Sequence, residues 1–466
     1  MIARFWRFGT ISCAKTRGHC KNAATLAGGI VYLYLAAAGA VHAQSNTNLS
    51  SMANLSPRGE DAAPCLGGEA GLSLAEAKRM AFVRNWDLLA AKSDVDLATA
   101  QRIIAREFPN PVASFSVQKI NIDNHSAGTS EGNGFWERNY DTFAAVNQLI
   151  EIGGKRRARK DSAAAGLRSA EARLADTRRT LDAGVTQAYV TVLLAEEKRQ
   201  ILTDSAASLR KEAGIAEARQ HAGEISLADR SQIEIAAERL VLDATSAEAD
   251  ARNARIALET VLGVRQPQGA LRLSDALEPL AEIRPGETNL QAAMARRPDI
   301  RAAESARAKA EADARLQKAM RIPDPTFLGQ YEHEPPDQPN TLGFGVSFPL
   351  PLWNRNRGNI TAAQVTLEQA GVQLAKLEAQ SAAEIVTAET TYSSALLRWQ
   401  RYREQLTPKS RQIRDTVVFA YEKGGASLLD LLSAQRNDND VRLSAAQATA
   451  DTANAAAALR AARNEP

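Results

Sequence analysis

Two segments of this chain, Ser226-Leu-Ala-Asp229 and Ser427-Leu-Leu-Asp430, carry the same Ser-x-x-Asp spacing 201 residues apart. Such a spacing can do two kinds of chemistry. Locally, the serine hydroxyl accepts from the backbone N–H three residues on, and the acid reaches back to the serine N–H, which ties down the start of a helix. Collectively, the same carboxylates gathered from several chains could ring a constriction, favour cations and bond across helices when it is shut. One acid can serve both roles. Gly223 and Gly424 stand six residues before the acids, where a left-handed glycine would end the preceding helix. Tyr421 precedes Gly424 by three residues, and the matching position before Gly223 is Gln220.

Other candidate chemistry is thinner. His333 sits between Glu332 and Glu334, but in a strand those acids face away from the histidine. A zinc site needs three or four convergent ligands, so no metal site is assigned, and a polar rim loop accounts for the segment. Lys155, Arg156, Arg157, Arg159 and Lys160 form a basic run. It reads either as an anchor at a membrane surface or lining charge, or as a solvated helix face. No nucleophile motif, phosphate loop or paired-carboxylate pocket is present, so no catalytic residue, no cofactor and no enzymatic activity are expected.

The elements that must hold these residues are long. The chain has 466 residues, 44% hydrophobic and 24% charged, with only 5% aromatics. That bias, with alanine, glutamate, arginine and leucine dominating long stretches, points to extended helices. Residues 1–43 differ: five cations, no acid and a small-apolar run closed by Val41-His42-Ala43 read as a cleaved signal peptide. Its removal would take the net charge from +3 to −2, which argues against a nucleic-acid partner. Only Cys65 would remain, so no internal disulfide is expected. Residues 44–70 are polar and are assigned no structure. Beyond residue 44 no apolar run is long enough for a membrane-spanning helix, which for an exported chain leaves a periplasmic, secreted or β-barrel protein.

The chain also reads as two copies. Asn85-Trp86-Asp87-Leu88 pairs with Arg297-Pro298-Asp299-Ile300, Pro109-Asn110-Pro111 with Pro323-Asp324-Pro325, and Gly223 and Asp229 with Gly424 and Asp430. The first copy spans 71–263, the second 288–463, and a linker covers 264–287. Each copy reads helix, β-hairpin (112–152 and 326–353), long helix (155–220 and 355–421), tip turn (221–226 and 422–427), helix. The first helix is expected to run from 73 to 107. The first hairpin carries about 14 extra residues around 121–140, as a surface loop would. Leu342, Phe344, Val346, Phe348, Leu350 and Leu352 alternate with small or polar residues, as between lipid and a watery lumen. Pro349 and Pro351 donate no ladder bond, so the sheet should fade there and feed a helix near Asn354. Gly153 and Gly154 serve the same junction in the first copy through conformational freedom. Leu167, Leu174, Leu181, Ala188 and Ala195, and Leu367, Leu374, Ala388 and Ala395, mark coiled-coil-like seams.

Four strands cannot close, and open sheet edges are not tolerated in hydrocarbon, so the barrel must be shared between chains. Two chains give eight strands, a width that side chains fill; three give twelve and room for a lumen, which favours a trimer.

Together these features resemble the TolC-like outer-membrane efflux family from about residue 70 to 463. Residues 150–166, Ile150-Glu-Ile-Gly-Gly-Lys through Gly166, and Phe348-Pro-Leu-Pro-Leu-Trp-Asn-Arg-Asn-Arg-Gly-Asn-Ile360 are similar to the branch serving cobalt–zinc–cadmium pumps, the CzcC-like proteins. The resemblance implies an α+β membrane protein: a trimeric 12-stranded outer-membrane β-barrel, four strands per chain, continued by a long periplasmic α-helical coiled-coil barrel, with an internal two-fold repeat. It implies an outer-membrane location with a periplasmic extension, and passive conduction without a cofactor. The implied partners are outer-membrane lipid, a periplasmic membrane-fusion adaptor and an inner-membrane RND-type proton-driven pump. The expected cargo is a divalent heavy-metal cation. A multidrug or type I secretion duct is the alternative, and a pore-less periplasmic scaffold a further one. Tyr421, Gly424 and Asp430 match the family's periplasmic tip, as do Gly223 and Asp229. The arginine and second acid that the family often carries there are Ala426 and Ser433 here, so a family-style salt-bridged lock lacks both partners.

Overall fold

Alanine-rich sequence with few helix breakers folds here into helices of unusual length. In the computed structural model the described residues are 71–118, 141–281, 289–334 and 338–465. The expected leader, the polar segment 44–70 with Cys65, the extra loop residues 121–140 with His125, and residues 282–288 of the linker lie outside the described residues.

The described residues open with α1 (Leu74–Arg84) and α2 (Trp86–Ile104), where the sequence pattern predicts one helix. Asn85 breaks it: φ is −62° and ψ 130°, an extended conformation. Its Oδ1 accepts from the N–H groups of Asp87 and Leu88, capping α2, while Nδ2 donates to the Val261 carbonyl at 2.9 Å. A helical Asn85 could do neither. Arg297 (φ −66°, ψ 124°) makes the same break between α6 (Leu290–Arg296) and α7 (Pro298–Ala319). There Pro298 begins the second helix, where its missing N–H costs nothing.

Four strands form one antiparallel sheet in the order β1 (Val112–Gln118), β2 (Asp141–Leu149), β3 (Thr326–Glu334), β4 (Gln338–Ser347). The register fixes two faces. Pairing of Phe115 with Ala144, Ala144 with Tyr331 and Tyr331 with Leu342 puts these on one side, with Val146, Phe327, Phe344 and Val346. The other side is richer in small and polar residues, Ser114, Ser116, Asn147, Gln330, Glu332, Thr341, Gly343 and Ser347, with Val112, Phe143 and Leu328 among them. The β4 part of the apolar side is exposed in the single chain; Phe344 is 87% exposed. The alternating pattern predicts a last strand reaching Leu352, but β4 ends at Ser347, because Pro349 and Pro351 have no N–H to offer a ladder. β1 and β4 are the sheet's two edges.

From the sheet the chain enters α3 (Lys155–His221), whose 67 residues span about 100 Å at 1.5 Å per residue. After the tip turn, α4 (Leu227–Val261) returns. The second long helix starts at Arg357, later than expected, as α8 (Arg357–Arg401); it passes through a π-helical turn (Tyr402–Leu406) and continues as α9 (Thr407–Glu422). Pro408 cannot donate to the Glu404 carbonyl, and the wider turn absorbs that lost bond. α10 (Leu428–Arg463) completes the chain. No helix among the described residues is long and apolar enough to cross a membrane.

The largest core lies midway along α3. Val185, Tyr189 and Val192 pack with Leu258, Leu262, Leu271, Leu277 and Ala450. Two of these, Leu271 and Leu277, belong to the connection after α4, the second in the short helix α5 (Leu277–Ala281). The buried Glu259 carboxylate holds that connection by accepting from the N–H groups of Gln268, Gly269, Ala270 and Leu271.

Candidate functional site

Both hairpin tips are built by local backbone chemistry. α3 ends in a six-to-one turn, with Glu224 N–H donating to Arg219 O at 2.9 Å and Gly223 in the left-handed region (φ 78°). In the second tip Gly425 N–H donates to Ala420 O at 2.8 Å, with Gly424 at φ 76°. A side chain with a Cβ avoids that region, so glycine stands where each helix must stop. Three residues on, the capping boxes begin. Ser226 Oγ accepts from Asp229 N at 3.1 Å and Ser427 Oγ from Asp430 N at 3.2 Å. Each acid answers through Oδ2, on the Ser226 hydroxyl at 2.9 Å and on the Ser427 hydroxyl at 2.7 Å.

Capping therefore occupies one oxygen of each acid. Oδ1 of Asp229 and of Asp430 makes no hydrogen bond among the described residues. Asp430 is exposed, and the Ser427 hydroxyl and N–H hold its carboxyl below the usual range.

The two tips meet in one apolar cluster: Leu209, Ala216, Ile233 and Ala237 from the first hairpin, Tyr421 and Leu431 from the second. Tyr421 is 4% exposed, and burial pushes its phenol up. The Arg219 guanidinium stacks over the Tyr421 ring and reaches its carbonyl, while also pairing with Glu224 at 3.0 Å. Arg219 is a tip residue that the sequence pattern does not single out, since nothing local ties it to a tyrosine 202 residues away.

Above the tip lies a buried polar layer. Asp438, 1% exposed, accepts from Ser410 Oγ at 2.9 Å and Arg414 Nη1 at 2.7 Å. Ser205 and Asn439 share a hydrogen bond across α3 and α10. Glu212 and Gln435 are also buried, but Glu212 Oε2 and Gln435 Nε2 have no partner among the described residues. Burial first, and the nearby Glu422 charge second, push the Glu212 carboxyl up.

At the junctions, Gly153 (φ 72°) and Gly154 (φ 80°) are both left-handed. The residue that takes this conformation in the second junction is Asn356 (φ 58°), held by Asn354 Oδ1 accepting from its N–H and by its own Nδ2 on Gln317. Pro349 and Pro351 lie between the end of β4 and that turn. The basic run after Gly154 is largely spent inside the chain. Lys155 pairs with Asp324 at 2.7 Å and Arg159 with Glu151 at 2.5 Å. Arg156 donates to the Arg106 carbonyl, and Arg159 also to those of Ala105 and Glu107, capping the C-terminal end of α2 with positive charge.

On the polar face of the sheet, carboxylate oxygens of Asp141, Glu332 and Glu334 lie within 4.8 Å of one another. His333 falls on the opposite face, paired across from Thr142.

Residues 79–264 and 289–465 match the family model described as outer membrane efflux protein. The chain is 28% identical over 394 residues to the cobalt-zinc-cadmium resistance protein CzcC of Cupriavidus metallidurans, covering 84% of this chain and 88% of that one. It is 26% identical over 402 residues to the pyoverdine export outer membrane protein OpmQ of Pseudomonas putida, covering 79% and 81%. Among solved structures it superposes on CusC with a TM-score of 0.72 at 18% identity, covering 85% of this chain and 94% of that one.

Proposed function

The chain belongs to the outer membrane efflux protein family, and on that premise we propose that it is the passive exit duct of a tripartite, proton-driven system exporting divalent heavy-metal cations of the cobalt, zinc, cadmium or nickel type. It is an outer-membrane protein with a TolC-like fold, mostly helical with one four-stranded sheet. Its family and its fold neighbours are channels rather than enzymes.

The observation that carries the reading is the sheet. One face is mainly apolar and largely exposed towards β4, the other is mainly small and polar, and β1 and β4 are edges with no partner strand among the described residues. In hydrocarbon the edges must pair. Closure by two further copies gives twelve strands, a barrel wide enough for water, and α3, α4 and α8–α10 of three chains continue it as a tube. On this reading the chain is an internal two-fold repeat. Asn85 and Arg297 break their helices at nearly equal dihedral angles, and left-handed residues stand at equivalent tips and junctions, in support of it. Asp229 and Asp430 from three protomers ring the periplasmic end, Gly223 and Gly424 set the turns, and Tyr421 packs them together. A periplasmic adaptor and an inner-membrane pump of the RND type engage that end. On this reading metal selection belongs to the pump.

The metal assignment rests on likeness to CzcC over most of both chains. Likeness to OpmQ favours a second reading, export of a small organic chelator. Deleting the gene and challenging the cells separates the two. Sensitivity to cobalt, zinc or cadmium with normal siderophore export supports the metal duct; unchanged metal tolerance overturns it.

A further inference from the structure

The apolar face of β4 does not stop where the strand stops. Beyond Ser347, Phe348, Leu350 and Leu352 remain exposed, and Trp353 is 93% exposed. Charge follows at once. Arg355 and Arg357 are exposed and have no ion pair or hydrogen bond among the described residues. Leu352, Trp353, Asn354, Arg355, Arg357 and Gly358 line an open groove of about 350 Å³. At the neighbouring junctions Arg157, Lys160 and Arg321 are also exposed and unpaired among the described residues, although Lys155, Arg156 and Arg159 beside them are all engaged.

This order of chemistry matches one surface. An acyl layer accepts Phe348, Leu350 and Leu352, an interfacial ring accepts Trp353, and a layer of phosphates accepts the arginines. A cation left unpaired below an apolar belt gains most from an anionic headgroup, since a zwitterionic one carries its own ammonium. A soluble protein partner would need an apolar patch with a polar rim on every side, whereas here the apolar patch merges into the apolar face of the sheet.

We propose that the Trp353–Arg357 segment is a binding site for anionic glycerophospholipid in the leaflet that faces the periplasm, with Arg157, Lys160 and Arg321 extending it into a cationic collar. The inference rests on the membrane placement of the sheet, and it adds a lipid selectivity that such placement does not require. Each cation held near an anionic surface favours it by about fivefold. Anionic lipid should therefore be enriched around Trp353 over zwitterionic lipid by about that factor or more.

The test uses purified full-length protein in vesicles of mixed phosphatidylglycerol and phosphatidylethanolamine, with one or the other lipid brominated on its acyl chains. Quenching due to Trp353 is the difference between the unaltered protein and Trp353→Phe. Stronger quenching by brominated phosphatidylglycerol, lost in about 0.5 M salt and in an Arg157→Gln, Lys160→Gln, Arg355→Gln, Arg357→Gln variant, is the expected result. Arg355→Lys with Arg357→Lys should keep it, which separates lost charge from misfolding. Equal quenching by the two lipids, or a preference that survives the glutamine variant, overturns the collar and leaves the channel reading standing. Absence of quenching by either lipid overturns both, because Trp353 would then lie away from the bilayer.

Discussion

The Arg219 guanidinium lies 5.3 Å from the centre of the Tyr421 ring and donates to the Tyr421 carbonyl at 3.4 Å. One hairpin tip thus holds the other within a single chain, by a contact made to the ring and to the main chain. If the tip is the gate, Arg219→Ala weakens its closed state by about 1 kcal/mol, or about fivefold in the open-to-closed ratio. Tyr421→Phe keeps the contact. Single-channel recording in planar bilayers should find more frequent opening in the first variant and unchanged opening in the second.

Asp430 has a local role and an exposed charge, and two substitutions separate them. Ser427→Ala removes the cap donor and acceptor and should cost about 1 kcal/mol, measured as a lower midpoint of thermal unfolding. Asp430→Asn retains a side-chain acceptor but no charge. If the acids of three chains ring a constriction, it reduces the preference for cations over anions in reversal-potential measurements; unchanged selectivity limits Asp430 to capping. The Ser427 hydrogen bonds lower the folded-state value of this carboxyl. Their stabilisation is therefore present above the unfolded carboxylate range and lost as pH falls through the lowered value.

Glu212 behaves in the opposite sense. Its folded-state carboxyl titrates higher than in the unfolded chain because it is buried, and Oε2 has no partner among the described residues. The protonated form is favoured, so its stabilisation is full below the unfolded value near 4.5 and lost as pH rises through the raised one. Glu212→Gln should raise stability by about 1–2 kcal/mol at neutral pH and by nothing near pH 4. Unfolding midpoints at the two pH values check it; equal shifts at both would contradict the burial argument.

Two left-handed glycines should respond differently to alanine. At Gly263 (φ 79°) a Cβ would stand 2.4 Å from the Arg84 carbonyl oxygen, where α4 ends against the break at Asn85. At Gly154 (φ 80°) it would meet nothing within 4 Å. Gly154→Ala carries only the backbone penalty, about 1–2 kcal/mol, whereas Gly263→Ala adds a main-chain clash and should cost about 3 kcal/mol or more. Denaturant unfolding of the two variants measures the difference.

What the sequence makes legible is what is local or periodic. The alternation from Leu342 to Val346 is plain because a sheet between two media writes both faces into every second residue. Helix ends at the tips are equally plain, since Gly424 and the Ser427–Asp430 box act within six residues. The break at Asn85 is hidden, because asparagine is only mildly unfavourable in a helix and the decisive bond goes to Val261, 176 residues on. Asn356 is hidden behind the two prolines, which advertise the end of the strand but not the left-handed turn that starts the helix. The Arg219–Tyr421 contact and the Asp141–Glu332–Glu334 group each join distant segments, and a single chain's composition does not say which segments will meet.

In the proposed assembly β1 of one chain closes on β4 of the next around a lumen. In a cysteine-free background, Ser114→Cys on β1 can be combined in turn with Gly343→Cys, Gly345→Cys or Ser347→Cys on β4, all on the polar face. Oxidation of intact cells followed by denaturing electrophoresis should give, for at least one pairing, a covalent species of three chains that reducing agent returns to monomer. Monomer alone for every pairing, from protein that has reached the outer membrane, would contradict the shared barrel.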